Sequence, residues 1–118
     1  MTIQNIPHPS IATVHVTKNS VTLNRRAIAL LRPYREVNRL LILSDERTGR
    51  MYIAVTDCDA YPRLRFTEGR RSACVNSRAL SGMIADSMQG YGSYHISETQ
   101  CSLPGISASC YVIEPKAF

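Results

Sequence analysis

The feature that most constrains this 118-residue chain is an internal repeat: a displacement of 52 positions lays Thr22-Leu23-Asn24-Arg25-Arg26-Ala27-Ile28 on Cys74-Val75-Asn76-Ser77-Arg78-Ala79-Leu80. Asn, Arg and Ala coincide, and two further positions match in apolar character. In each copy a short apolar stretch runs into Asn, a residue favoured before a helix because its side-chain oxygen accepts from the unbonded amides of the first turn. Helical spacing of apolar residues follows. The same order of elements surrounds both copies. The chain is therefore expected to be a single α+β domain, 1–118, made of two ββαββ repeats, 11–56 and 63–115. A pseudo-twofold would relate the repeats about one shared core, with about eight mostly antiparallel strands and two helices.

The periodicities place the elements. Ile11 to Thr17 alternates, with Val14 and Val16 on one face and Thr13, His15 and Thr17 on the other, the period of a half-buried strand. Val21-Thr22-Leu23 is a second strand. Asn24 caps a helix from Arg25 to Arg32 with Ala27, Ile28 and Leu31 inward, and Pro33 ends it because it removes an amide donor and disfavours helix before it. Arg39 to Leu43 and Met51 to Val55 form a hairpin across Asp45 to Gly49, and Thr56 to Pro62 reads as a linker. In the second copy, Arg63 to Phe66 and Ser72 to Val75 are strands. Asn76 leads a helix with Leu80, Met83, Ile84, Ser87 and Met88 on one face and Arg78, Ser81, Asp86 and Gln89 on the other. Ser93 to Ser97 and Ala108 to Ile113 complete the sheet.

Composition narrows the function classes. No apolar run approaches the roughly 18 to 20 residues of a membrane span, and the N-terminal residues lack the basic and apolar regions of a secretory leader. These features predict a cytoplasmic protein with no membrane partner. Cys58, Cys74, Cys101 and Cys110 show no C-x-x-C pair, which suits reduced thiols rather than zinc ligands. Cys101 and Cys110 could face each other across a hairpin. The chain contains no nucleophile elbow, zincin, P-loop or Rossmann pattern. His15 and His95 lack a carboxylate at strand-neighbour spacing, and Asp57 and Asp59 read as turn formers. No catalytic residue, metal or cofactor is expected.

What remains is binding. The net charge is +5, and twelve Arg stand against two Lys. Arg presents a planar fork of donors matched to phosphate, although its excess is equally what a GC-rich genome produces. Arg25 and Arg26 open the first helix, Arg63 and Arg65 alternate on a strand, Arg70 and Arg71 lie in the next turn, and Arg78 opens the second helix. Tyr91 and Tyr94 follow that helix as candidate stacking surfaces, the combination of cations and rings that single-strand binders use. The alternative for each Arg is a solvated face, and for Tyr94 and Phe66 the core.

The segment Arg70 to Pro115, from Ala73-Cys74-Val75-Asn76-Ser77-Arg78-Ala79-Leu80 to Tyr111-Val112-Ile113-Glu114-Pro115, resembles a set of small uncharacterised Bacteroidetes proteins. Val21 to Ala27 is similar to their first motif. The resemblance spans about four fifths of the chain and implies no activity. In architecture alone, a duplicated four-strand, one-helix unit is similar to Whirly-type single-strand DNA binders. The functional expectation is a non-catalytic module binding single-stranded or structured nucleic acid through the nine residues named above. The alternative is a protein-interaction or assembly module, a homodimer included, pairing through exposed strand edges.

Overall fold

The computed structural model describes residues 11–105 and 109–115. The elements are β1 (Thr13–Val16), β2 (Val21–Leu23), α1 (Arg25–Leu31), β3 (Arg39–Ser44), β4 (Met51–Thr56), β5 (Arg65–Phe66), β6 (Ala73–Val75), α2 (Arg78–Ser87), β7 (Gly92–Cys101) and β8 (Cys110–Ile113). A 3-10 turn, Glu68–Arg70, separates β5 from β6.

Local chemistry explains the boundaries. The Asn24 side-chain oxygen accepts from Ala27 N–H at 2.9 Å, satisfying an amide that the first turn leaves open. At the other end of α1, Arg32 adopts a left-handed φ of 53° and donates its N–H to the Ile28 carbonyl, so Pro33 meets a helix already closed. In the β3–β4 hairpin Gly49 takes φ +75° and bonds the Asp45 carbonyl at 2.7 Å, a conformation in which a Cβ would be strained.

The strands form one sheet in the order β3-β4-β8-β7-β1-β2-β6-β5, with every neighbouring pair antiparallel. Its two ends meet. Arg39 and Arg63 form an antiparallel bridge, Leu40 N–H bonds Pro62 O at 2.8 Å, and Leu64 N–H bonds Asn38 O at 2.8 Å. The sheet thus curls back on itself. Exchanging β1–β4 with β5–β8 maps this cyclic order onto itself, the β1·β7 pair taking the place of the β5·β3 bridge. β5 is two residues long and the start of β3 is engaged, so β3 has an open outer edge only beyond Leu40.

One cluster fills the concave side. Val14, Val16, Val21, Leu23, Leu40, Ile42, Met51, Ile53, Val55, Ala73, Val75, Tyr94, Ile96 and Ile113 point inward from the strands. Ala27, Ile28 and Leu31 of α1 and Ile84 of α2 pack among them. Both halves of the chain contribute to this core. Burying a Leu or Ile side chain contributes roughly 1.5–3 kcal/mol, so these contacts hold the helices where propensity alone would not. β3, β4 and β8 are also covered on their outer face, where Leu41, Tyr52, Ala54 and Cys110 form a second apolar cluster with Leu43, Cys101, Leu103 and Val112.

Several sequence expectations shift. The second helix is capped by Ser77, whose hydroxyl accepts from Leu80 N–H at 3.1 Å, while Asn76 is exposed one residue earlier. Ser81, expected outward, is fully buried, and its hydroxyl has no hydrogen-bond partner among the described residues. It shares a face with Ile84, three residues on, and its small size lets the helix approach the core. The strand expected at Arg63 to Phe66 is divided: its first residues bond β3, and only Arg65 and Phe66 pair with β6. β7 continues to Cys101, four residues past the expected Ser97, through an irregularity between Ile96 and Gln100. Ala108, the expected start of the last strand, lies outside the described residues.

Candidate nucleic-acid interface

Alternation along the strands divides the outer face into two sectors. Over β3, β4 and β8 it is apolar, as described. Over β1, β2, β6, β5 and the part of β7 before its irregularity at Ile96, the outward residues are Ser93, His95, Thr13, His15, Thr22, Cys74 and Arg65, all exposed or half-buried. The registers align five of them in a continuous transverse row: Ser93 opposes His15, His15 opposes Thr22, Thr22 opposes Cys74, and Cys74 opposes Arg65. Four interstrand spacings of about 4.8 Å make the row about 19 Å long. His15 Nδ1 lies 2.7 Å from Ser93 Oγ, which fixes the ring at one end. None of the seven outward residues is a carboxylate.

Basic residues flank the row at both ends of the β2·β6 pair. Arg25 and Arg71 sit where Leu23 and Ala73 are opposed; Arg78 follows β6 at the end where Val21 and Val75 are opposed. Arg63 precedes Arg65 on the same outward parity and bridges Arg39. All of these except Arg39 are exposed, and Arg39 is half-buried, its guanidinium donating to Tyr61 O at 3.0 Å. The nine residues expected from sequence do not converge on one patch. Arg65 is in the row, while Arg25, Arg71, Arg63, Arg78 and the exposed Tyr91 lie one to three residues along the chain from the ends of the strands that carry it.

Three of the nine are otherwise occupied. Arg26 forms an ion pair with Glu98, which raises its pKa through hydrogen bonding first and charge second. Arg70 stacks on the Phe66 ring at 4.2 Å and reaches the Pro33 carbonyl at 3.4 Å, so it braces α1 against the β5–β6 turn. Tyr94 is fully enclosed. Its hydroxyl donates to Gly90 O at 2.5 Å and accepts from Gln89 N–H at 2.9 Å, closing the end of α2, so it is no stacking platform. Alternation within β7, with Tyr94 and Ile96 buried and Ser93 and His95 exposed, holds this information.

Sequence reasoning misses Ser93, Thr22 and Cys74 as members of one row, and takes His15 and His95 one by one as solvent-facing. Their strand parity is readable, but which strands adjoin is a property of the closed topology. Among the described residues the only ion pair is Arg26–Glu98, so every other arginine there lacks a carboxylate at bonding distance. No group of three or more His, Cys, Asp or Glu among them is arranged to hold a metal, and none of their helices is long and apolar enough to cross a membrane. A separate concavity between β3 and the linker brings Arg35, Arg39 and Arg63 together with Glu36, Asp57 and Asp59, a balanced set of charges. Comparison with protein-family models, curated proteins and solved structures finds no match to this chain.

Proposed function

We propose that the chain is a non-catalytic nucleic-acid-binding module that engages backbone phosphates across the β7-β1-β2-β6-β5 face. The supporting observation is the row Ser93-His15-Thr22-Cys74-Arg65, which holds no carboxylate and is bordered by exposed arginines that form no ion pair among the described residues, Arg63 being the one that also faces the concavity shared with Glu36, Asp57 and Asp59. Arg65 and Arg63 supply guanidinium forks from β5, while Arg25, Arg71 and Arg78 supply them from the borders. Hydroxyls and imidazoles between them donate to phosphate oxygens, the contacts that position a nucleic acid without reading its bases. The face carries no exposed Phe, Tyr or Trp among its outward strand residues, so phosphate contact rather than base stacking dominates. The two halves of the chain we read as copies of one ββαββ unit, a reading supported by the exchange of strand order and the displacement of 52.

Fluorescence anisotropy with labelled single-stranded and duplex oligonucleotides at several salt concentrations tests this. Neutralising about four phosphates gives a slope of log affinity against log salt of about −2.8 for a single strand and about −3.6 for a duplex. Arg63→Glu/Arg65→Glu together should weaken binding at least tenfold with unchanged circular dichroism. Absence of binding to either probe at low salt would overturn the reading.

A further inference from the structure

Cys101 near the end of β7 and Cys110 at the start of β8 are direct cross-strand partners. Directly opposed residues of an antiparallel pair have Cα atoms about 4.5–5.5 Å apart, inside the range of about 4.4–6.8 Å that a disulfide spans. The opposition depends on an irregularity in β7. Continuing the Ile96–Ile113 pairing one for one would place Thr99 opposite Cys110; the register shift between Ile96 and Gln100 brings Cys101 there instead. Both side chains belong to the outer apolar cluster with Leu41, Tyr52 and Ala54, so both project from the same face. Cys110 is fully buried and Cys101 half-buried. Both are thiols here.

We propose that Cys101 and Cys110 are a redox pair that closes reversibly to a disulfide, cross-linking the end of β7 to the start of β8. The accessible Cys101 reacts first. Its thiolate attacks a small disulfide such as oxidised glutathione, forming a mixed disulfide and releasing one glutathione thiolate. The Cys110 thiolate then attacks the Cys101 sulfur and expels the second. Two protein thiols and one oxidised glutathione become one protein disulfide and two reduced glutathiones, the protons passing from protein to glutathione. Burial, and secondarily the neighbouring Cys101, raise the Cys110 pKa, so Cys110 is not the thiol that attacks first.

The test is incubation of the full chain with oxidised and reduced glutathione in defined ratios, followed by alkylation and peptide mapping without reductant. The expected result is loss of two of the four thiols, a Cys101–Cys110 cross-linked peptide, and restoration by dithiothreitol. Cys58 and Cys74 should remain alkylatable over the same range. In Cys110→Ser, Cys101 should retain glutathione as a stable adduct; in Cys101→Ser, Cys110 should stay unmodified. A persistent glutathione adduct on wild-type Cys101, oxidation of Cys58 or Cys74 before this pair, or four thiols that stay reduced would each overturn the proposal. The wild-type mapping decides it even where a variant fails to fold.

Discussion

Thr22 of β2 and Cys74 of β6 stand directly opposite each other, and the displacement of 52 that aligns the two halves of the sequence carries one onto the other. Their flanking pairs, Val21 with Val75 and Leu23 with Ala73, are exchanged by the same displacement. The β2·β6 pair is therefore centred on these two residues. Thr22→Cys should cross-link to Cys74 in the intact chain under mild oxidation, because opposed strand residues lie at disulfide distance. Peptide mapping without reductant detects the bond. An introduced thiol that stays reduced while Cys74 reacts elsewhere would contradict this register.

The Tyr94 hydroxyl joins the end of α2 to β7 through Gln89 and Gly90. Tyr94→Phe leaves the ring in the core but deprives the Gln89 amide of its acceptor. A loss of about 1–2 kcal/mol is expected in urea denaturation. Oligonucleotide affinity should be unchanged, since the residue is enclosed.

Asn24 and Asn76, aligned by the displacement of 52, differ in what they hold. Asn24 accepts from both Ala27 N–H and Thr13 N–H and donates to Ile11 O, tying α1 to the start of β1. Asn24→Ala should cost about 2 kcal/mol, at the upper end for a capping residue. Ser77→Ala should cost about 1 kcal/mol, and the exposed Asn76→Ala less than about 0.5 kcal/mol. Chemical denaturation of the three variants ranks them.

Asp45 accepts from Arg47 N–H at 3.0 Å, and that backbone bond, with the Thr48 hydroxyl second, holds its carboxyl below the usual range. A depressed folded pKa stabilises the hairpin above the unfolded value of about 3.9 and ceases to do so as pH falls through the folded value. Amide protection at Arg47 should therefore decline in acid below that range. Asp45→Asn should abolish the pH dependence, as hydrogen-exchange NMR would show.

The strands and helices are legible in the sequence because each obeys a local rule. Val14 and Val16 alternate, Ala27, Ile28 and Leu31 keep helical spacing, and Pro33 follows a stop. Ser81 falls on the opposite face from the one expected because a polar residue on an apolar helix reads as outward, whereas tight packing beside Ile84 selects it for size. Asn76 reads as a cap by analogy with Asn24, but Ser77 is equally suited and lies one residue nearer the helix. For the site, the identity of the outward residues is available from alternation, and their assembly into a row is not. Ser93 and Arg65 are 28 positions apart and meet across three intervening strands. The convergence expected of Arg26 and Arg70 fails for local reasons, an acid on β7 and an aromatic ring on β5, neither of which leaves a periodic trace.

Closure between Asn38–Leu40 and Pro62–Leu64 rests on two backbone hydrogen bonds, whereas the β1·β7 pair opposite it under the exchange has four residue pairs in register. A loop of interactions parts where it is thinnest. Transient opening should begin at this junction, exposing the Leu40 and Leu64 amides to solvent exchange well before those of β1.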